Sequence, residues 1–287
     1  MIKPVTEKEL VRQAGELAAR TRREIEAAGL VITDFEQVAR LFDVTVVWGE
    51  LPAGKDGSYL KDERKIVLST SVTTPERINF SFCHEIMHAR IEDDDDLLSD
   101  FADAYRRSDE EAMERLCNAG AAELLMPAEN VRQIMVERGF STTLIPELCE
   151  RFGASSIAVA FQMVNCASHD CYLVIAENQM VQLTAAHNQT PMPNIKPINV
   201  PQEQLVIIYS GAASAAKYSI KRNQTIPVNH LLCMALRSNE PVQGDARLPF
   251  ASGNGWDVPC EALYFRRKVF AFFNRTQPMS NLQMPLF

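Results

Sequence analysis

Between residues 6 and 28, apolar side chains recur at Leu10, Val11, Ala14, Leu17 and Ala18 among charged ones, the spacing of one helix face. Gly29 then predicts the end of that helix. A second, short helix is expected near Phe35 to Phe42. The period changes at TVVWGEL, 45–51, whose β-branched residues predict a strand. SYLKDERKIVLST reads as a hairpin that turns at Asp62 and Glu63. Thr74 before Pro75 predicts a helix start, because proline suits the first helical position. Phe80, Cys83, Met87 and Ile91 give that helix an apolar stripe, and it is expected to end at the run Asp93–Asp96. The four aspartates read as a solvated loop, since they lack the spaced pattern of a calcium loop. Ser108 to Glu111 has capping-box spacing and opens EEAMERLCNAGAAELLM, which Pro127 stops.

From 128 to 167 the pattern predicts three short helices punctuated by Gly139 and Gly153. The stretch LCERFGASSIAVAFQMV fits a helix, a turn and a second helix with Ser155 near its start, a pattern compatible with a helix-turn-helix. A plain helical subdomain is the simpler reading, given the acidic net charge of the chain. Beyond about 170 the chain turns to β-rich blocks: CYLVIA, MVQLT, EQLVIIYS and ALYFRRKVFAFFN, with prolines between 191 and 201 suggesting a long loop. The expected organisation is α+β in three parts: 1–130, a helical 131–167, and an α+β domain over 168–287.

Composition changes this picture little. Of 287 residues, 46% are hydrophobic and 23% charged, which suits a globular protein with more than one core. The formal net charge of -8 argues against direct nucleic-acid binding over a broad surface; Lys221–Arg222 and Arg266–Lys268 are among the basic clusters. No apolar run long enough for a transmembrane helix or an N-terminal signal is visible, and seven scattered cysteines without C-x-x-C fit reduced thiols, so a cytoplasmic location is expected.

The chemistry concentrates at His84, Glu85 and His88. Two histidines four apart share a helix face, so their imidazoles can converge on one ion, with Glu85 able to reach its open position. This is the H-E-x-x-H zinc signature. A catalytic zinc needs a third protein ligand, and the helix opened at Ser108 offers Glu114, with Glu110 and Glu111 as rivals. Asn118 lies one turn further on the same face, placed to hold a ligand imidazole in one tautomer. Tyr59 is a candidate oxyanion donor, and a strand near Lys65–Ser69 a candidate open edge for an extended substrate.

RINFSFCHEIMH followed by EEAMERLCNAGAAELLMP resembles the ImmA/IrrE family of metallopeptidases, in which the histidine pair precedes E-x-x-A-N and then A-x-L-L-M-P. Glu114, Asn118 and Ala122–Pro127 match that stretch. The resemblance implies a zincin-like N-terminal domain, zinc on His84, His88 and Glu114, and Glu85 as the base. It further implies cleavage of a helix-turn-helix repressor that frees stress or mobile-element genes, and in some members a GAF-like sensor domain at the C-terminal end. Two positions depart from the pattern: Met87 stands where the family often has Gly, so it is expected to crowd the neighbouring helix, and Gly120 stands where it often has Phe. Non-catalytic readings remain beside it: a zinc-holding regulator that binds a repressor, or a DNA-binding regulator through residues 140–167.

Two weaker features complete the reading. Cys166, His169 and Cys171 lie close in sequence but lack a fourth ligand. The final Gln283-Met-Pro-Leu286-Phe287 resembles the short peptide by which bacterial replication and repair proteins dock on the sliding clamp; folding back of Leu286 and Phe287 onto the C-terminal domain is the plainer alternative.

Overall fold

The computed structural model describes residues 5–105, 109–184, 199–212, 222–248 and 255–274. They divide into two compact units, one of residues 1–133 with 147–159, the other of 134–146 with 160–287. The architecture is α+β.

In the first unit, α1 (Glu7–Ala27) begins at Thr6, whose hydroxyl accepts the Glu9 N–H, and buries Leu10, Ala14, Leu17 and Ala18 as the spacing predicts, while Val11 is exposed. After α2 (Phe35–Leu41) come β1 (Thr45–Gly49), β2 (Gly57–Leu60) and β3 (Lys65–Ser69). A single 3-10 turn, Lys61–Glu63, joins β2 to β3 in the expected hairpin. The sheet order is β1-β3-β2, with β1 parallel and β2 antiparallel to β3. Lys65–Ser69 is therefore the central strand, bonded on both sides, and β2 is an outer edge. The strand letters alone could not show this, because edge or centre is decided by where β1 returns to pair.

Helix α3 (Pro75–Glu92) starts with Pro75 in its first turn, as predicted. Its burial is wider than one stripe: Phe82, Ile86 and Ala89 are buried as well as Cys83, Met87 and Ile91. The helix is covered on more than one side, because it packs against both the small sheet and α5 (Glu110–Leu125). Phe80 is only half-buried.

The aspartate run is not a solvated loop. Asp93 closes α3 and forms an ion pair with Arg64 at 2.9 Å. Asp94 accepts the Leu97 N–H at 3.0 Å, and Asp95 and Asp96 form the first turn of a helix, α4 (Asp95–Tyr105). Carboxylates at a helix N-terminus meet unpaired N–H groups and the positive end of the helix dipole, which is why an acidic run can start a helix. Helix α5 is capped by Asp109, whose carboxylate accepts the Ala112 N–H at 3.0 Å. The capping residue thus lies one position later than the box spacing suggested.

Three helices follow: α6 (Ala128–Arg138), α7 (Leu144–Phe152) and α8 (Ser156–Cys166). Gly139 and Gly153 have φ of 87° and 57°, and Ser155 caps α8 through the Ala158 N–H. The boundaries between the two units fall inside α6, α7 and α8.

The second unit is built on a five-stranded antiparallel sheet, β5-β4-β8-β7-β6, with α9 (Leu231–Ser238) against β6, β7 and β8. CYLVIA and MVQLT form one strand, β4 (Cys171–Thr184), paired along its length with β5 (Asn199–Ala212), so Asn199–Pro201 is strand rather than loop. ALYFRRKVFAFFN is two strands, β7 (Asp257–Phe265) and β8 (Lys268–Asn274). Arg266 and Arg267, at φ of 49° and 66°, turn between them, so this basic cluster is a hairpin tip. Helix α9 and β6 (Val242–Arg247) fall between the blocks read as strands. Glu261, buried on β7, accepts from the Thr142 N–H at 3.0 Å, the Thr142 hydroxyl at 2.7 Å and the Ser141 hydroxyl at 2.5 Å. Gln283, Leu286 and Phe287 lie outside the described residues.

Candidate metal centre

Helix α3 presents His84 and His88 one turn apart, and α5 packs beside it with Glu114 facing them. The two Nε2 atoms are 3.1 Å apart. One carboxylate oxygen of Glu114 is 3.1 Å from His84 Nε2, and the other is 3.3 Å from His88 Nε2. Among the described residues, these three side chains form the group with metal-ligand spacing.

The geometry fits a small tetrahedral cation. Ligand atoms at about 2.0–2.1 Å from a common centre in tetrahedral directions lie about 3.3–3.4 Å from one another. Three lone-pair atoms at close to that separation repel one another unless a positive charge sits between them. Burial and the neighbouring His84 hold His88 below its ordinary pKa, which favours the neutral imidazole a metal requires. His84 Nδ1 is buried without a hydrogen-bond partner. Asn118 lines the same cavity, but among the described residues no hydrogen bond joins it to either imidazole.

Glu85 is 6% exposed, and burial pushes its carboxyl up to about 7, with the Glu114 charge adding to the rise and the Tyr59 N–H and Lys55 opposing it. Its carboxylate lies against the start of β2: a β-carbon on Gly57 would stand 2.8 Å from Glu85 Oε1. Glycine at 57 is thus what lets the strand edge approach the acid. The sequence reading passed over Gly57, whose only signal is a glycine opening a predicted strand.

A cavity of about 920 Å³ opens over these groups. One wall is the β2 edge, from Gly57 to Tyr59, and the opposite wall is α5, with Glu110, Glu111 and Glu114. Glu110 and Glu111 line the cavity but stand outside the three-residue group, and Glu111 leans to Arg115 at 3.5 Å. The Tyr59 hydroxyl is buried with no hydrogen bond of good geometry. Burial raises its pKa, and the charges acting on it are Arg64, before β3, and Glu92 and Asp93, at the end of α3.

Comparison with known proteins gives this arrangement a lineage. A peptidase family model described as the IrrE N-terminal-like domain matches residues 39–163, which span β1–β3 and the α3–α5 pair. The chain is 31% identical over 264 residues to the radiation response metalloprotease IrrE of Deinococcus deserti, covering 89% of this chain and 88% of that protein. The chain belongs to the ImmA/IrrE family of metallopeptidases. The Deinococcus radiodurans protein of the same name is 29% identical over 226 residues, 78% of this chain and 67% of that one. A solved structure, a Mycobacterium tuberculosis transcriptional regulator, shares the fold with a TM-score of 0.55 at 15% identity, covering 90% of this chain and 76% of that one.

The family departures at 87 and 120 turn out to face each other. Met87 is fully buried, and a β-carbon on Gly120 would lie 2.6 Å from Met87 Cε and 3.1 Å from its Cγ. A long side chain on α3 fills what the absent side chain on α5 leaves, so the helices that carry the metal-type donors close up without crowding. Cys166 and Cys171 are buried thiols, and His169 bonds Asn274 at 3.1 Å; with no fourth donor they form no metal group among the described residues. No described helix is long and apolar enough to cross a membrane.

Proposed function

We propose that the chain is a zinc-dependent endopeptidase that cleaves a helix-turn-helix transcriptional repressor and so releases stress-response genes. The observation that carries the reading is the convergence of His84, His88 and Glu114 donor atoms beside a buried acid in an open cleft. The name of the two Deinococcus relatives, radiation response metalloprotease, favours a role in a DNA-damage or related stress response.

His84, His88 and Glu114 would hold the ion, which when bound supplies Lewis acidity toward a carbonyl and toward water. Glu85 takes a proton from the attacking water and delivers it to the leaving amine. Its burial suits this work, because an acid near pKa 7 accepts and returns a proton at neutral pH at small cost, while a nearby cation favours its ionised form. The free edge of β2 aligns an extended peptide by main-chain hydrogen bonds, and Gly57 keeps that peptide close to Glu85. Asn118 is a candidate partner for a ligand imidazole once the site is loaded. Residues 168–287 act as a regulatory, GAF-like part that tunes the peptidase.

The deciding experiment incubates the full chain with the repressor encoded nearest its gene, with zinc added or chelated. Zinc-dependent fragments that Glu85→Gln does not produce would support the reading. An intact repressor under every condition would reject it.

A further inference from the structure

A second cavity, of about 520 Å³, adjoins the metal-type cluster on the side of α4. Its walls are Leu98, Phe101 and Ala102 from α4 and Met113 from α5, with His88 at the end nearest the cluster. Leu98, Phe101 and Ala102 follow the three-and-four spacing of one helix face, so α4 turns a single apolar surface toward this space. Phe101 is buried, Leu98 and Met113 are half-buried and Ala102 is exposed, so the cavity is open to a ligand rather than part of the packed core. Lys61 and Glu92 supply its charge, and they neutralise each other in an ion pair at 3.1 Å.

His88 and Met113 also line the main cleft. The two cavities therefore meet at one of the metal-type donors. The main cleft carries Asp56, Glu85, Glu110, Glu111 and Glu114 around its apolar residues Phe80 and Met113, so its lining is mostly polar. The smaller cavity has a mostly apolar lining within reach of the same backbone.

We infer that the α4 cavity is the recognition pocket for a large apolar side chain, of the leucine, methionine or phenylalanine kind, on a residue flanking the scissile bond. This rests on the peptidase reading above, and it adds what that reading lacks, a determinant of substrate choice. Leu98 and Ala102 set the width of the pocket, and the Lys61–Glu92 pair keeps its rim neutral. Helix α4 thereby acquires a role: its acidic start anchors it at the end of α3, and its apolar face shapes the pocket.

The test uses the full chain loaded with zinc, in wild-type form and as Ala102→Phe and Leu98→Asp. Ala102→Phe narrows the pocket, and Leu98→Asp places a charge in its wall. Circular dichroism melting checks that each variant folds, and metal analysis that each keeps its ion. Calorimetry then compares acetohydroxamate, which engages a metal alone, with an N-acyl leucine hydroxamate, which adds the side chain. In the wild type the leucine compound should bind tighter by roughly tenfold to a hundredfold, the worth of burying such a side chain. Both variants should lose most of that gap while binding acetohydroxamate as before. Digestion of a mixed peptide library by the same proteins should show large apolar residues beside the cut for wild type and small ones for Ala102→Phe. Equal leucine gaps in wild type and variants would overturn the pocket while leaving the metal centre standing. Failure of both hydroxamates to bind zinc-loaded wild type would overturn the peptidase reading, and this inference with it.

Discussion

The Met87–Gly120 contact yields a prediction with a definite sign. Met87→Ala removes a fully buried side chain and should cost about 2–5 kcal/mol. Gly120→Ala in the natural chain places a methyl 2.6 Å from Met87 Cε and 3.1–3.2 Å from its Cγ and Sδ. Overpacking of that kind costs about 1–3 kcal/mol, against roughly 1 kcal/mol gained from replacing glycine inside a helix, so the net is a loss of about 0–2 kcal/mol. With alanine at 87 all three opposing atoms are gone. Gly120→Ala should then stabilise by about 1 kcal/mol, reversing its sign, with a coupling of about 1–3 kcal/mol between the sites. Urea unfolding of the four proteins measures this. Trp48, in the first unit, serves as the fluorescent reporter in a Trp256→Phe background, so that the second unit does not contribute. If Gly120→Ala destabilised equally with methionine or alanine at 87, the contact would not set the spacing of α3 and α5.

Other outcomes follow from the site itself. Glu114→Ala should lower zinc retention at least tenfold, read by metal analysis after dialysis; unchanged zinc content would remove Glu114 from the ligand set. Glu85→Gln should keep fold and zinc but stop cleavage of a bona fide substrate, and cleavage at the wild-type rate would exclude Glu85 as the base. Gly57→Ala should slow cleavage without loss of metal, because its methyl meets Glu85 Oε1 at 2.8 Å; equal rates would show that β2 has room to move. In the chelated protein the folded-state carboxyl of Glu85, at about 7, lies above its ordinary value of 4.5. The folded state then binds the proton more tightly, so its advantage is full below pH 4.5 and is lost as pH rises through 7, by at most about 3 kcal/mol. Glu85→Gln should flatten that part of the melting-temperature profile, and identical profiles would refute the buried-acid account.

Local order was legible from the letters because its causes are local. The apolar spacing of α1, Pro75 at the start of α3, Pro127 after α5, and the glycines after α6 and α7 each act within a few residues of themselves. The pairing of His84 with His88 belongs to this class, since helical pitch alone puts them on one face. The choice of Glu114 over Glu110 and Glu111 came from helix phase together with family resemblance, and its 3.1 and 3.3 Å approaches exist only because α5 packs on α3. What tertiary structure decided was long-range. Lys65–Ser69 became the centre of its sheet because β1 pairs with it from the far side, leaving β2 as the edge over the cleft. Asp93 is tied at the end of α3 by Arg64, 29 residues earlier, whereas the helix start at Asp94–Asp96 has a local cause, the Leu97 N–H on the Asp94 carboxylate. Met87 and Gly120 looked like two separate departures from a pattern, and only the α3–α5 contact made them one complementary pair. A sequence carries the periodicity of each element, but whether a strand is an edge, an acid is buried or two side chains share one space depends on neighbours far along the chain.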